Sequence, residues 1–277
     1  MSTAPHDKKR RVTPTGQPMA GDTHRNRDLV QGLERGLAVV RAFSHDAPSL
    51  TIAQVAERTR LTRAGARRYL LTLQSLGYVW QHGDRFSLTP RLLELGFSYL
   101  STLDVASVCQ PFMEQVTATL HESCSVSVLD NQDIVYVARM PTKRIMSINL
   151  AVGSRLPAHA TSMGKILLAH LPPDELERYF ATAAFKRLTH RTIVEPQRLR
   201  DALVDVRRRG WAVANEETEL GVRSVAVPLV DRAGLVRAAI NVSGHASRVS
   251  LAQLRRTYLP VVQDAARGIS QALGAAV

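Results

Sequence analysis

The stretch "LTRAGARRYLLTLQSLGYV", residues 61–79, decides how the first third of the chain folds. At 100° per residue, Ala66, Tyr69, Leu70, Leu73 and Leu76 share one face of a helix, and Arg68 points nearly opposite. Arg67 lies on a flank beside the small residues Ala64 and Gly65, while Leu71 projects outward for no reason the pattern supplies. Thr62 is placed to cap the helix and Gly77 to end it. A basic outer face, taken alone, is usually a solvated one. Its neighbours change that reading.

Upstream, "LVQGLERGLAVVRAFS" (29–44) carries a helical stripe of Leu33, Leu37, Val40 and Phe43. "LTIAQVAERTR" (50–60) follows, with Thr51 as cap and Ile52, Val55 and Ala56 facing inward. Downstream, "YVWQHGDRFSLT" (78–89) places two β-rich runs around His82-Gly83-Asp84, which is a hairpin signal. Three helices and a hairpin predict a winged helix-turn-helix over residues 28–90. Such a motif sends its second helix into the major groove of double-stranded DNA, with the helix N-terminus nearest the bases. The expected contacts are Thr62, Arg63, Ala64, Arg67 and Arg68 on the helix, with His82 and Arg85 on the wing.

The composition agrees with a polyanionic partner. The 277-residue chain has a net charge of +12, and its first hundred residues hold 15 Lys and Arg against 8 Asp and Glu. Residues 1–27 include the run Lys8-Lys9-Arg10-Arg11 and lack apolar periodicity, so they read as a disordered basic tail without a secretory signal. No apolar run approaches the ~18 residues of a membrane span, and a cytoplasmic location is expected. Cys109 and Cys124 are the only cysteines and lack the spacing of a disulfide framework or a zinc knuckle.

Residues 91–104 read as a linker helix and 105–277 as a second, α/β domain, giving an α+β chain overall. "SCSVSVLDNQDIVYVARM" (123–140) alternates as two strands around an Asp130-Asn131-Gln132-Asp133 turn, and five or six strands are expected in a mainly antiparallel sheet. No catalytic set emerges. Ser162-Met163-Gly164-Lys165 matches Ser-x-x-Lys without its companion motifs and reads as a capped helix start. "HATSMGK" (159–165) lacks the first glycine of a phosphate loop, and the nine histidines show no metal-ligand spacing. No cofactor, metal or enzymatic activity is therefore expected.

A small-molecule pocket is expected instead. "PAHATSMG" (157–164) offers helix N-terminal amides that suit a carboxylate, through Ala160, Thr161, Ser162 and Met163. Met146 would supply an apolar wall and Arg139 a second anchor. Glu217, Arg223, Ser224, Asn241 and Ser243 lie on or beside strands of one sheet, with Glu217 accepting from a ligand hydroxyl or pairing with Arg223. The alternatives are an enzyme of aromatic metabolism and a ligand-binding protein that does not touch DNA.

Five stretches together resemble the IclR family of bacterial transcriptional regulators over about residues 28–275. They are "LERGLAVVRAFS", the segment from Leu50 to Val79, "FSLTPRLLELG", "LPAHATSMGKILLA" and "EETELGVRSVAVPLVD" with "AAINVSGHASR". "ARMPTKRIMSINLAVGSRLPAHATSMGK" is most similar to the PcaR/PcaU/PobR branch, which governs aromatic-acid catabolism through the β-ketoadipate pathway. The resemblance implies a GAF-like effector domain, dimers or dimers of dimers, a palindromic operator and RNA polymerase as a further partner. It also implies an organic-acid effector such as protocatechuate, 4-hydroxybenzoate or β-ketoadipate.

Overall fold

A computed structural model describes residues 29–95, 105–142 and 150–275 of the chain. The basic tail at 1–27, most of the expected linker helix and Met146 lie outside the described residues. The chain divides into two compact units, Met1–Gly96 and Phe97–Val277.

In the first unit, α1 (Gln31–Arg41), α2 (Ile52–Thr59) and α3 (Arg63–Ser75) pack around Val39, Leu50, Val55, Ala66, Leu70 and Phe86. Thr51 opens α2 with a capping box, its hydroxyl accepting from Gln54 N while the Gln54 side chain accepts from Thr51 N. Arg60 then turns the chain in the left-handed region, with φ 56°, and Thr62 caps α3 by accepting from Gly65 N. β2 (Val79–His82) and β3 (Arg85–Leu88) form the expected hairpin. A third strand, β1 (Ser49–Thr51), joins it in the order β1-β3-β2, all antiparallel. At three residues, β1 is too short to announce itself by alternation.

The apolar stripes are corrected in three places. Leu76 is 52 % exposed because α3 has ended by then, and the chain is turning into Gly77 at φ 80°. Leu33 and Leu37 also face solvent, since Val39 is the one buried residue of α1. A helical turn occupies 92–95, the described part of the expected linker helix.

The second unit is a six-stranded antiparallel sheet in the order β6-β5-β4-β9-β8-β7, with helices on both faces, the GAF-like arrangement. Its strands are β4 (Ser123–Asp130), β5 (Asp133–Met140), β6 (Arg155–Pro157), β7 (Ala212–Asn215), β8 (Val222–Val230) and β9 (Val236–His245). Asn131, at φ 58°, makes the tight β4–β5 turn. One face carries Cys124, Val126, Val225, Val227, Ile240 and Val242 and packs on α4 (Val105–Leu120) and on the C-terminal helix, which runs from Leu251 through a π turn into Leu259–Ala272. The other face is covered by α5 (Ser162–Ala169), with α6 (Pro173–Thr182) and α7 (Pro196–Arg209) outside it. Gly164 lets α5 sit against the short 3-10 turn Ala158–Ala160. A Cβ there would lie 2.1 Å from the Ala158 carbonyl oxygen. Among the described residues no helix is long and apolar enough to cross a membrane.

Candidate functional site

The first unit presents α3 as a basic ridge. Arg63, Ala64, Arg67 and Arg68 are exposed, and no ion pair holds the three arginines among the described residues. His82 and Arg85 face each other across the hairpin as a cross-strand pair, both exposed. Arg85 also donates to the Ser49 carbonyl at 3.0 Å, which ties the wing to β1. Arg67 and Arg68, adjacent in sequence, line different grooves on the two flanks of α3. Arg35 and Arg60, which the sequence reading passed over, share the groove of Arg68. Leu71 is half-buried.

In the second unit, the sheet face under α5 is polar where a core would be apolar. Register brings Ser224, Ser243 and Ser123 into one row across β8, β9 and β4, and Ala226, Asn241, Ser125 and Arg139 into the next. Side chains directly opposite on antiparallel strands share a face and lie about 5 Å apart at Cβ. Ser123, Ser125, Ser224 and Asn241 are all buried. Buried hydroxyls and amides require partners, and most find them within this set. Ser162 and Ser224 share a 2.7 Å hydroxyl contact, Asn241 Nδ2 donates to Ser243 Oγ at 3.1 Å, and Thr142 N donates to Ser123 Oγ. Ser127 donates to Met163 Sδ at 3.3 Å.

Two groups in this strip are left short. Asn241 Oδ1 is buried without a hydrogen-bond partner. The half-buried Arg139 guanidinium has one acceptor, Ser125 Oγ at 3.1 Å, and no acidic partner among the described residues. Burial pulls its pKa below the usual arginine value.

Of the residues expected to bind a ligand, Arg139, Ser162, Met163, Ser224, Asn241 and Ser243 are thus gathered on one face. Ala160 is buried in the turn before α5, and Thr161 caps that helix, accepting from Gly164 N at 2.9 Å and donating to Ala158 O. The Thr161 hydroxyl is therefore already engaged. Arg223 is not part of the group. Successive strand residues face opposite ways, so it lies on the other side of β8 from Ser224. There it binds Asn215 Oδ1, Glu216 and the carbonyls of Ala246 and Val249. Glu217 pairs with Lys165 at 2.5 Å, not with Arg223, and its Oε2 has no hydrogen-bond partner. The sequence reading also missed Ser123, Ser125 and Ser127. Their signal is serine at every second position of a strand with neighbours on both sides.

A winged helix-turn-helix followed by a sheet with a buried polar face defines a DNA-binding protein with a small-molecule domain. Residues 32–83 match the IclR helix-turn-helix domain, and residues 97–271 match the bacterial transcriptional regulator IclR C-terminal domain. The chain belongs to the IclR family and is a transcriptional regulator, not an enzyme. It is 42 % identical to the Pca regulon regulatory protein of Pseudomonas putida over 89 % of this chain and 85 % of that one. It is 37 % identical to the p-hydroxybenzoate hydroxylase transcriptional activator of Acinetobacter baylyi over 90 % and 94 % of the two chains. Among solved structures, a putative regulator from Rhodococcus sp. RHA1 matches with a TM-score of 0.81 at 49 % identity, covering 88 % of this chain and 98 % of that one. An IclR homologue from Microbacterium hydrocarbonoxydans, solved with 4-hydroxybenzoate, matches with 0.78 at 26 % identity over 87 % and 98 %.

Proposed function

We propose that this regulator binds a small organic acid on the polar face beneath α5 and controls genes of aromatic-acid catabolism in response. The carrying observation is the half-buried Arg139 guanidinium, which has no carboxylate partner among the described residues and lies in the same row as the orphaned Asn241 Oδ1. A carboxylate satisfies the first and a ligand hydroxyl the second. The free backbone amides at the start of α5 add a second place for negative charge, because Thr161 caps only Gly164. Aromatic hydroxy acids offer both groups. The names of two relatives and the 4-hydroxybenzoate in a third support that class. Isothermal titration calorimetry with 4-hydroxybenzoate, protocatechuate and β-ketoadipate tests the reading. Binding is expected to vanish in Arg139→Ala. Binding that survives Ser162→Ala combined with Ser243→Ala would place the site elsewhere.

The working unit we propose is a homodimer, or a dimer of dimers, on a palindromic operator. Leu29, Val30, Leu33 and Leu37 leave an apolar strip on and before α1 exposed, and a two-fold pairing would cover it. Two winged helices so related require half-sites roughly 34 Å apart or a multiple of that.

A further inference from the structure

Two grooves flank α3, and their chemistry differs. One, of about 360 Å³, is lined by Arg35, Arg60, Arg68, Thr62 and Thr72 with the apolar Leu61 and Tyr69, and no described carboxylate stands in its wall. The other, of about 520 Å³, lies against the hairpin, and its lining includes Arg63, Ala64, Arg67, Gln81 and Asp84. We propose that the first groove is a binding site for backbone phosphate of DNA, held by Arg35, Arg60 and Arg68, and that Arg67, across the helix, reads base edges.

Three guanidiniums reach that groove from three separate elements: α1, the turn between α2 and α3, and α3 itself. A concave site with three exposed guanidiniums suits a phosphate oxygen, which accepts from planar N–H forks and carries no sequence information. Arg60 holds a left-handed turn position, φ 56° and ψ 29°, which glycine adopts at lower cost, so its guanidinium can be removed without disturbing the turn. The opposite groove contains a carboxylate, Asp84, which repels phosphate yet tolerates the donor groups of base edges. Arg67 stands there one turn from the N-terminus of α3, where helix-turn-helix proteins make their base contacts.

The proposal rests on DNA binding by this unit, which the wild-type control checks separately. The full-length chain is titrated by fluorescence anisotropy with two duplexes, one selected from a random library by the wild-type protein and the other of shuffled sequence. Salt is varied between about 50 and 200 mM. Arg35→Ala, Arg60→Gly and Arg68→Ala are each expected to lower the slope of log K against log salt by about 0.9 for each copy bound, roughly 1.8 for a dimer on two half-sites. Each should weaken both duplexes alike, by a factor that shrinks about threefold per bound copy as salt rises from about 50 to 200 mM. Arg60→Gly keeps the turn, so its thermal midpoint should not fall. Arg178→Ala, which removes the same charge from the exposed face of α6, should leave the slope unchanged. Arg67→Ala should instead weaken the selected duplex and spare the shuffled one. Unchanged slopes for Arg35→Ala and Arg60→Gly, or a loss in Arg68→Ala confined to the selected duplex, would overturn the assignment.

Discussion

Lys165 and Glu217 show how a buried charge constrains its surroundings. Their 2.5 Å contact is enclosed, with side chains 5 % and 9 % exposed, and burial lowers the lysine's affinity for its proton while the carboxylate opposes that. Removing one member strands the other in a dry site. Glu217→Gln is expected to destabilise the second unit by about 3–5 kcal/mol, whereas Lys165→Met with Glu217→Leu should cost far less. Urea titrations of both variants check this, and a double variant that loses as much as Glu217→Gln would show that the stranded lysine is not the source of the loss. His159 makes a pH-dependent contribution. It is buried edge-on against Phe185, its Nε2 lies 3.1 Å from the Lys186 carbonyl, and burial holds its pKa below the ordinary imidazole value. Lys165 pushes in the same direction, and Asp133 weakly opposes it. The unfolded chain therefore takes up this proton first, near pH ~6.5, and stability falls as pH drops through that range. His159→Gln should flatten the fall in the denaturation midpoint below pH ~6.5; parallel curves for both proteins would refute this.

At the scale of elements, the start of α5 joins the fold to the polar face proposed to bind the acid. Gly164 is the contact point with the turn at 158–160, and Gly164→Ala would drive a methyl into the Ala158 carbonyl. The expected result is a loss of about 1–3 kcal/mol, as for overpacked cores, together with lost acid binding, read by thermal shift with and without 4-hydroxybenzoate. Unchanged stability would show that α5 can move away from the turn freely. The caps at Thr51 and Thr62 were legible in the sequence because a cap is a local device, one hydroxyl serving an amide three residues on, while at the start of α5 adjacent Thr161 and Ser162 left the choice of cap open. The β2–β3 and β4–β5 turns were legible for the same reason. What escaped depends on distant partners. The side of β8 that Arg223 takes follows from pairing with β7 and β9, and the Lys165–Glu217 contact spans 52 positions. Leu33 and Leu37 read only as part of an apolar stripe because periodicity identifies an apolar face without naming what covers it.

At the scale of the molecule, that uncovered face carries the remaining consequence. Leu33 is 66 % exposed and Leu37 42 %, with Leu29 and Val30 beside them at the entry to α1. A monomer gains nothing from this arrangement, since a leucine wholly in water forgoes about 1.5–3 kcal/mol of burial and these two forgo part of it. An isologous dimer would recover it on both copies at once. It would also fix the distance between two α3 helices, which a palindromic operator requires. Leu33→Glu with Leu37→Glu is therefore expected to shift the protein towards monomer in analytical ultracentrifugation at micromolar concentration. Each chain should keep its fold, because both side chains are already in solvent. Operator affinity should fall far more than affinity for a single half-site, since the variant loses the linkage between two binding events while each α3 stays intact. If the double variant sediments as wild type and binds the operator equally well, the apolar strip on α1 is not the contact that joins two copies.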